Sequence, residues 1–321
     1  MPSAGAVSSA GGLIDDGLIG TPRALADVAD LRDAAGRRVI RIRLFDGWDL
    51  DVLPDRGLDI GAAWWRGRPV AWRSPILSDP GPGADWAHRF LGGLVVTCGP
   101  DNIGAPRDGH GLHGTHSLTP AVDVRWEQKR VDDELEVRVS GTIQDARLFG
   151  RRIRVDREIT VSTGSPTIDV RDTITNDGLA PEPVAWLYHV NLGAPVVVPG
   201  TTVTAPAERW VVREATRSVP SPAVIPRPIA HSEETVFEYA GIRDDDVVVQ
   251  APDGSGIALS WTTATLPRLY QWVLPESGAW ALGVEPANAP LWGDDRTPPL
   301  LAAGAALETA VRITALEDVA G

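Results

Sequence analysis

From about residue 37 onward, the chain is a series of short runs in which apolar and polar residues alternate, separated by Gly, Pro and Asp. Alternation with a period of two is typical of a β-strand that has one face in a core and the other in water. The runs whose apolar residues share one face are Val122, Val124 and Trp126; Leu135, Val137 and Val139; Ile153 and Val155; Ile168 and Val170; Ile257, Leu259 and Trp261; and Val311 and Ile313. The pattern predicts a mostly β protein, built as a large antiparallel sandwich with few short helices.

Only two segments carry helix signals. Thr21 and Pro22 are typical of an N-cap and a first helical position, and the second segment runs from Asp85 to Phe90 and ends before Gly92 and Gly93. Apolar residues spaced by three follow the first signal, at Leu25, Val28 and Leu31. We therefore expect one short helix at each place.

The length of 321 residues and the 43% hydrophobic content allow one large core. Residues 1–20 begin with an Ala, Gly and Ser-rich stretch and are expected to form a flexible N-terminal arm, followed by a single domain over residues 21–321. The N-terminus lacks the basic start and apolar core of a signal peptide, and no segment approaches the ~20 apolar residues of a membrane span.

The formal net charge of -13 disfavours partners that are themselves anionic. Its long-range field repels nucleic acid backbones and anionic lipid surfaces, so neither partner is expected. The single cysteine, Cys98, cannot form an intrachain disulfide, and a cytoplasmic location is therefore expected. Nothing in the sequence indicates an oligomeric state.

Three histidines lie at intervals of three, as His110, His113 and His116, among glycines that disfavour a stable helix. A zinc site of the usual two-histidine type needs a rigid helix, so hydrogen-bonding or acid-base roles are favoured over a metal. No cofactor is expected. If a divalent metal is bound, its ligands would come from these three histidines together with His189 and Glu285.

Strand alternation singles out two further segments. In AWLYHVNLGAP, His189 and Asn191 share one face of a strand near its end. In GAWALGVEPANAP, small residues that include Gly283 lead along one face to Glu285, which leaves room for a molecule above the strand. A buried, unpaired carboxylate is costly, so Glu285 either faces a pocket as a base or belongs to a surface salt bridge.

Other polar side chains could complete a binding surface. Gln271 and Trp272 lie on the strand-like run before Glu285 and would supply an amide and an indole. Arg56 lies in a Pro-Asp-Arg-Gly turn, where its fork of donors suits vicinal hydroxyls or a carboxylate. The alternative for Arg56 is a surface salt bridge to Asp55 or Asp59.

Taken in order, these motifs resemble the aldose 1-epimerase (galactose mutarotase-like) superfamily, and especially its divergent bacterial branch of unassigned function. The resemblance covers residues 37–316. It begins at the Pro-Asp-Arg-Gly turn and runs through GGLVVTCGPDNIGAP, which contains Asn102, to the Leu-His-Gly of residues 112–114. It then includes the strand with His189 and the Val-Glu-Pro around Glu285.

The resemblance implies a β-supersandwich that opens and recloses aldopyranose rings without a metal or an organic cofactor. By this analogy, Glu285 is the general base for the anomeric hydroxyl and His189 is the acid for the ring oxygen. His113 would hydrogen-bond near the ring oxygen or a neighbouring hydroxyl, and Asn102 would support the same contacts.

The sequence also departs from the family pattern. Thr115 stands where a second glycine usually follows the first histidine, and His189 is followed by Val190 and Asn191 instead of Pro and Tyr. The substrate-binding Asp that many members carry before the Glu has no clear match, although His231, Glu233 and Glu234 lie in that region.

Three functions follow as hypotheses. The leading one is an isomerase that interconverts the anomers of a monosaccharide or modified sugar. The second is a different sugar epimerase, isomerase or lyase on the same scaffold that uses a divalent metal. The third is a non-catalytic carbohydrate-binding protein.

Overall fold

The structure is a computed structural model, and it describes residues 9–213, 221–293 and 295–317. Strands dominate it. Helical structure within these residues comprises helix α1 (Ala10–Asp15) and three 3₁₀ turns at Pro22–Ala24, Ala87–Arg89 and His116–Leu118. The strands are β1 (Ala26–Arg32), β2 (Arg38–Leu44), β3 (Trp48–Leu53), β4 (Asp59–Trp65), β5 (Arg68–Pro69), β6 (Val95–Cys98), β7 (Ala121–Val131), β8 (Glu134–Ala146), β9 (Arg152–Ser162), β10 (Thr167–Asn176), β11 (Glu182–Pro183), β12 (Leu187–Leu192), β13 (Thr202–Thr204), β14 (Arg209–Val212), β15 (Thr235–Ala240), β16 (Asp246–Gln250), β17 (Gly256–Trp261), β18 (Arg268–Leu274), β19 (Ala281–Ala287), β20 (Leu300–Leu301) and β21 (Ala306–Leu316).

Two large antiparallel sheets form the molecule. The first sheet has eleven strands in the order β1-β2-β3-β4-β6-β12-β19-β18-β15-β14, with β5 paired to β4. The second sheet has eight strands in the order β13-β16-β17-β21-β10-β9-β8-β7, and β11 pairs separately with β20. The predicted mostly β sandwich is therefore confirmed. None of the described helices is long and apolar enough to cross a membrane.

The apolar faces of the two sheets form the main core. The predicted inward positions on β8, β9, β10, β17 and β21 are buried. On β7 the prediction is correct for Val124, which is half-buried and packs against the core, and wrong for Val122 and Trp126, which are exposed. This strand is the edge of its sheet, and its register shifts between Val122 and Arg125, so only part of the alternating pattern faces the core.

Both helix predictions reduce to single 3₁₀ turns. Pro22–Ala24 is one turn, and the chain then enters β1, which pairs with β2 over its whole length. Ala26 and Val28 are buried on one face of β1, so pairing in the sheet overrides the local helix signal. The segment after Asp85 likewise contains only the turn at Ala87–Arg89.

The predicted N-terminal arm is packed against the sandwich where the structure describes it. Ser9 caps α1 by accepting a hydrogen bond from the Gly12 amide, and Ala10 is fully buried. The Gly11 amide donates to the Asp133 carbonyl at 2.7 Å. The first eight residues lie outside the described part, and the domain boundary at residue 21 stays a prediction.

A buried ionic network joins the two sheets. Arg157 on β9 is fully buried and donates to both carboxylate oxygens of Asp172 on β10, at 2.8 and 2.7 Å. It also donates to Asp59 on β4 at 2.6 Å and to the Thr97 hydroxyl on β6 at 2.9 Å. The Tyr188 hydroxyl on β12 donates to Asp172 at 2.6 Å, so strands of both sheets share one set of charges.

We expect Arg157→Met to lower the free energy of unfolding by ~3–5 kcal/mol, because it leaves two buried carboxylates without their cation. Chemical denaturation at neutral pH measures the change. The matched control is Arg312→Met, which breaks an exposed pair with Asp169 on the same sheet and should cost at most ~1 kcal/mol. Equal losses in the two variants would contradict the assigned role.

Candidate active site

A cavity of about 440 Å³ opens on the face of the first sheet that points away from the second sheet. Tyr188 reaches the ionic network between the sheets, so alternation along β12 turns its neighbour His189 to the opposite face. His113, Trp272 and Glu285 line the same cavity. Its size falls within the ~300–1,000 Å³ of small-molecule pockets.

His189 and Glu285 lie side by side in this cavity on the paired strands β12 and β19. The His189 Nε2 and Glu285 Oε1 atoms are 3.2 Å apart, and both side chains are buried. Gly283 makes this approach feasible, because a Cβ there would lie 2.8 Å from Glu285 Oε1 and 3.0 Å from His189 Cε1. Gly283 therefore makes room for the contact between His189 and Glu285.

Burial favours the uncharged form of both groups. It raises the pKa of Glu285 to about 8, with a further contribution from the negative charge of Glu234. It lowers the pKa of His189 to about 3, assisted by the nearby His113. The contact between His189 Nε2 and Glu285 Oε1 lacks hydrogen-bond geometry, and Glu285 Oε1 has no hydrogen-bond partner in the described part of the chain. His189 Nδ1 has none there either. The pair therefore has unused hydrogen-bonding capacity.

His113 reaches the cavity from a loop. Its Nδ1 donates to the Ile103 carbonyl at 2.8 Å, which leaves Nε2 as an acceptor when the ring is neutral. Burial lowers the pKa of His113 and keeps the ring in that form. The backbone has positive φ at His113 and at Gly114, where a Cβ would lie 2.4 Å from the Asn102 carbonyl oxygen.

Asn102 holds the loop and does not line the cavity, which corrects the predicted substrate contact. Its side chain is buried, and its amide nitrogen lies 2.8–3.0 Å from the carbonyl oxygens of Gly104, Ala105 and Gly111. These carbonyl groups already use its donors. Asn102 therefore positions the segment that carries His113.

Aromatic rings form one wall of the cavity. The Trp272 ring lies 5.3 Å from the His189 ring, and the Phe90 ring lies 5.7 Å from it. Trp86 stacks on Phe90 at 4.4 Å and lies at the same distance from His113. Such surfaces can pack against the apolar face of a sugar ring.

Three charged residues at the cavity were not predicted as site residues. Glu234 accepts hydrogen bonds from Trp272 Nε1 at 2.9 Å and from Arg213 Nη2 at 2.7 Å. Partial burial opposes ionisation of Glu234, but these hydrogen bonds outweigh it and lower the pKa of the carboxyl group. Arg296 also lines the cavity. The only sequence signal was the position of Glu234 in the region where the family carries its binding Asp.

Gln271 and Asn191 are not brought to the cavity, contrary to prediction. Gln271 is buried on the other face of β18, where it accepts from the Tyr239 hydroxyl and donates to the Pro222 carbonyl at 2.9 Å. The Asn191 amide is also buried and donates to the Gly93 carbonyl at 3.0 Å. Both side chains support neighbouring backbone.

Arg56 lies outside the cavity as well. Its guanidinium donates to Asp79 at 2.7 Å and to the Arg89 carbonyl at 2.8 Å. The predicted alternative, a surface salt bridge to Asp55 or Asp59, is also wrong, because the ion pair is largely buried and its partner is Asp79. Through Arg89, this pair holds the segment that carries Phe90.

The three spaced histidines point to different places. His110 contacts Asp101 at 3.1 Å near the surface, whereas His116 is buried with Nε2 3.2 Å from the Gly57 carbonyl oxygen. Only His113 lines the cavity. The predicted five-residue metal set is therefore not assembled, and within residues 9–213, 221–293 and 295–317 no group of three or more His, Cys, Asp or Glu could hold a metal ion.

Comparison with known proteins assigns the chain to a family. The family model for a domain of unknown function, DUF4432, matches residues 34–304. The chain belongs to the DUF4432 family. No curated protein matches it.

Solved structures show which fold this DUF4432 protein has. A proposed aldose 1-epimerase from Klebsiella pneumoniae superposes with a TM-score of 0.81 at 22% identity, over 92% of this chain and 84% of the other. A galactose mutarotase-like protein from Clostridium acetobutylicum gives 0.63 at 11% identity, over 92% and 100%. A proposed aldose 1-epimerase from Escherichia coli gives 0.58 at 17%, over 86% and 98%. The fold is galactose mutarotase-like, which confirms the resemblance seen in the motifs.

The raised pKa of Glu285 should appear in the stability of the DUF4432 protein. The folded state holds this proton up to about pH 8, whereas the ordinary value is 4.5. The contribution of Glu285 to stability should therefore be lost as pH rises from 4.5 to 8, because at this group the folded state binds more protons than the unfolded state in that range. Glu285→Gln removes this titration, so its stability relative to the unmodified protein should increase by about 4 kcal/mol between pH 4 and pH 8.

Denaturation curves recorded at several pH values test this expectation. The control Glu308→Gln replaces an exposed glutamate on β21 and should follow the unmodified protein at every pH. A constant difference between Glu285→Gln and the unmodified protein would show that Glu285 ionises as an ordinary carboxyl group.

Proposed function

We propose that this protein interconverts the α and β anomers of an aldose. The observation that carries the proposal is the buried contact of 3.2 Å between His189 and Glu285 at a cavity with aromatic walls. Ring opening needs a base for the anomeric hydroxyl and an acid for the ring oxygen, and an imidazole beside a carboxyl group supplies both. The similar folds named in the comparisons support the same chemistry at a coarser level.

The pair needs only one exchangeable proton. When that proton lies on His189, the Glu285 carboxylate takes the proton of the anomeric hydroxyl while His189 gives its proton to the ring oxygen. The bond between the anomeric carbon and the ring oxygen then breaks, the aldehyde forms, and the pair is left as neutral His189 and protonated Glu285. Rotation of the aldehyde and the same steps in reverse close the ring on either face.

Burial suits this cycle, because the neutral pair is the form that a low-dielectric site favours. Transfer of a proton from Glu285 to His189 converts the neutral resting pair into the reactive form before ring opening. Ring closure regenerates that form, so no exchange with bulk water is required. His113 would accept a hydrogen bond from a sugar hydroxyl through Nε2. Glu234 would accept a hydrogen bond from another sugar hydroxyl. It would thereby take the role of the family's substrate-binding Asp, for which the sequence has no clear match.

Glu285→Gln should lower the rate of anomer exchange by ~10²–10⁴-fold and leave sugar binding nearly intact, because an amide cannot take up the hydroxyl proton. NMR exchange spectroscopy or polarimetry over a panel of aldoses measures the rate, and Glu308→Gln is the control. Normal exchange in Glu285→Gln would remove Glu285 from the mechanism. Saturable binding without faster exchange in the unmodified protein would instead favour a carbohydrate-binding protein.

The pH profile gives an independent test. Above about pH 8 Glu285 loses its proton while His189 is already neutral, so the pair no longer holds an acid for the ring oxygen. We expect kcat/KM to fall about tenfold per pH unit beyond this value, after correction for the uncatalysed reaction. A kcat/KM that keeps rising to pH 10 would contradict the shared-proton mechanism.

A further inference from the structure

Arg296 is the feature of the cavity that the proposed reaction does not use. It follows β19, is half-buried and lines the cavity together with Glu285. Within the described part of the chain, its guanidinium group makes no hydrogen bond or ion pair. A partly desolvated cation without a counter-charge is costly, which favours a role in binding a ligand.

None of the other described charged groups that line the cavity is paired with Arg296. Arg213 and Glu234 form an ion pair with each other at 2.7 Å. The lowered pKa values of His113 and His189 and the raised pKa of Glu285 keep these three groups neutral at pH 7. Among the described residues that line the cavity, Arg296 is therefore a cation without an ionic partner, in a protein with a net charge of -13.

We propose that the sugar carries an anionic substituent, a carboxylate or a phosphate, and that Arg296 binds this group. This inference rests on the proposed function, since it places the pyranose ring at His189 and Glu285. An anion is repelled by the overall charge of the protein and needs a local cation in order to enter. A guanidinium group suits it, because its planar fork can donate two hydrogen bonds to one carboxylate or phosphate.

The state of Glu285 agrees with an anionic substrate. An ionised carboxylate in the cavity would repel the substrate and weaken its binding. A neutral Glu285 removes that repulsion, and the proton passes to His189 only within the bound complex. Aromatic rings of Trp86, Phe90 and Trp272 supply the uncharged surface on which the ring itself can rest.

Matched sugars test the inference. The panel is glucose, glucuronate and glucose 6-phosphate, together with galactose, galacturonate and galactose 6-phosphate, so that each neutral sugar has a carboxylate and a phosphate counterpart. Anomer exchange gives kcat/KM for each sugar, and isothermal titration calorimetry gives its affinity. For the unmodified protein, kcat/KM and affinity should be at least tenfold higher for one class of anionic sugar than for the matching neutral sugar. Comparison of the carboxylate sugars with the phosphate sugars shows which class it is.

Arg296→Gln should reduce that preference by ~10–100-fold, the range expected for charge-assisted hydrogen bonds, and Arg296→Lys should restore part of it. Arg107→Gln is the control, because Arg107 lies close enough to Asp295 to lower its pKa but does not line the cavity. The control variant should keep the full preference. High salt should also reduce the preference of the unmodified protein.

Two results would overturn the inference: a neutral sugar that is bound and converted as well as its anionic counterparts, or a preference that survives Arg296→Gln. Failure of the proposed function looks different. In that case no sugar shows faster anomer exchange, while calorimetry still decides whether anionic sugars bind more tightly and whether Arg296 is responsible.

Discussion

The placement of the site depends on the buried charges of Arg157, Asp59 and Asp172. This network ties strands of the second sheet to β4, β6 and β12 of the first sheet. Tyr188 belongs to the network, and its neighbour His189 emerges on the opposite face of the same strand. Burying three charges brings little net stabilisation, but mispairing them would leave an uncompensated charge in the core. The network therefore acts mainly on specificity, since it fixes how β12 sits relative to both sheets.

Buried carboxyl groups lie on both faces of β12, but their partners differ. On the inner face, Arg157 donates to Asp172 and Asp59 and opposes the effect of burial, which still raises the pKa of Asp59. On the outer face, Glu285 has only an imidazole beside it, and burial raises its pKa to about 8. The difference lies in the number of donors near each carboxylate, not in depth of burial. One strand thus separates a permanent ionic cluster from a pair whose proton can move.

The sequence predicts the fold well wherever a strand has sheet neighbours on both sides. Period-two alternation located the inward faces of β8, β9 and β10. At β7 it was correct only for Val124, because this edge strand has a register shift that leaves Val122 and Trp126 exposed. The helix signal at Thr21 and Pro22 failed because strand pairing outweighed a local preference. Capping preferences are worth about 1 kcal/mol, and pairing of β1 with β2 outweighs them.

Alternation and resemblance together located His189, Glu285, His113 and Trp272, the predicted residues that line the cavity. The same reasoning misplaced Asn102, Asn191 and Gln271, because a buried amide is satisfied as well by backbone carbonyl groups as by a substrate. The sequence did not identify Glu234 and Arg296 as site residues, because they lie in irregular segments where no hydrophobic periodicity shows which side chains share a face.

This division between strands and loops has a functional meaning. His189 and Glu285 lie on adjacent strands of a wide sheet, where pairing and the Gly283 close approach fix their separation. His113, Glu234 and Arg296 reach the same cavity from segments outside the strands, whose positions depend on particular hydrogen bonds such as those of Asn102. Proton transfer is sensitive to sub-ångström geometry, whereas recognition of hydroxyl groups and charges tolerates more variation. Under the proposed function, this architecture would let sugar recognition change through the loops without disturbing the pair that moves the proton.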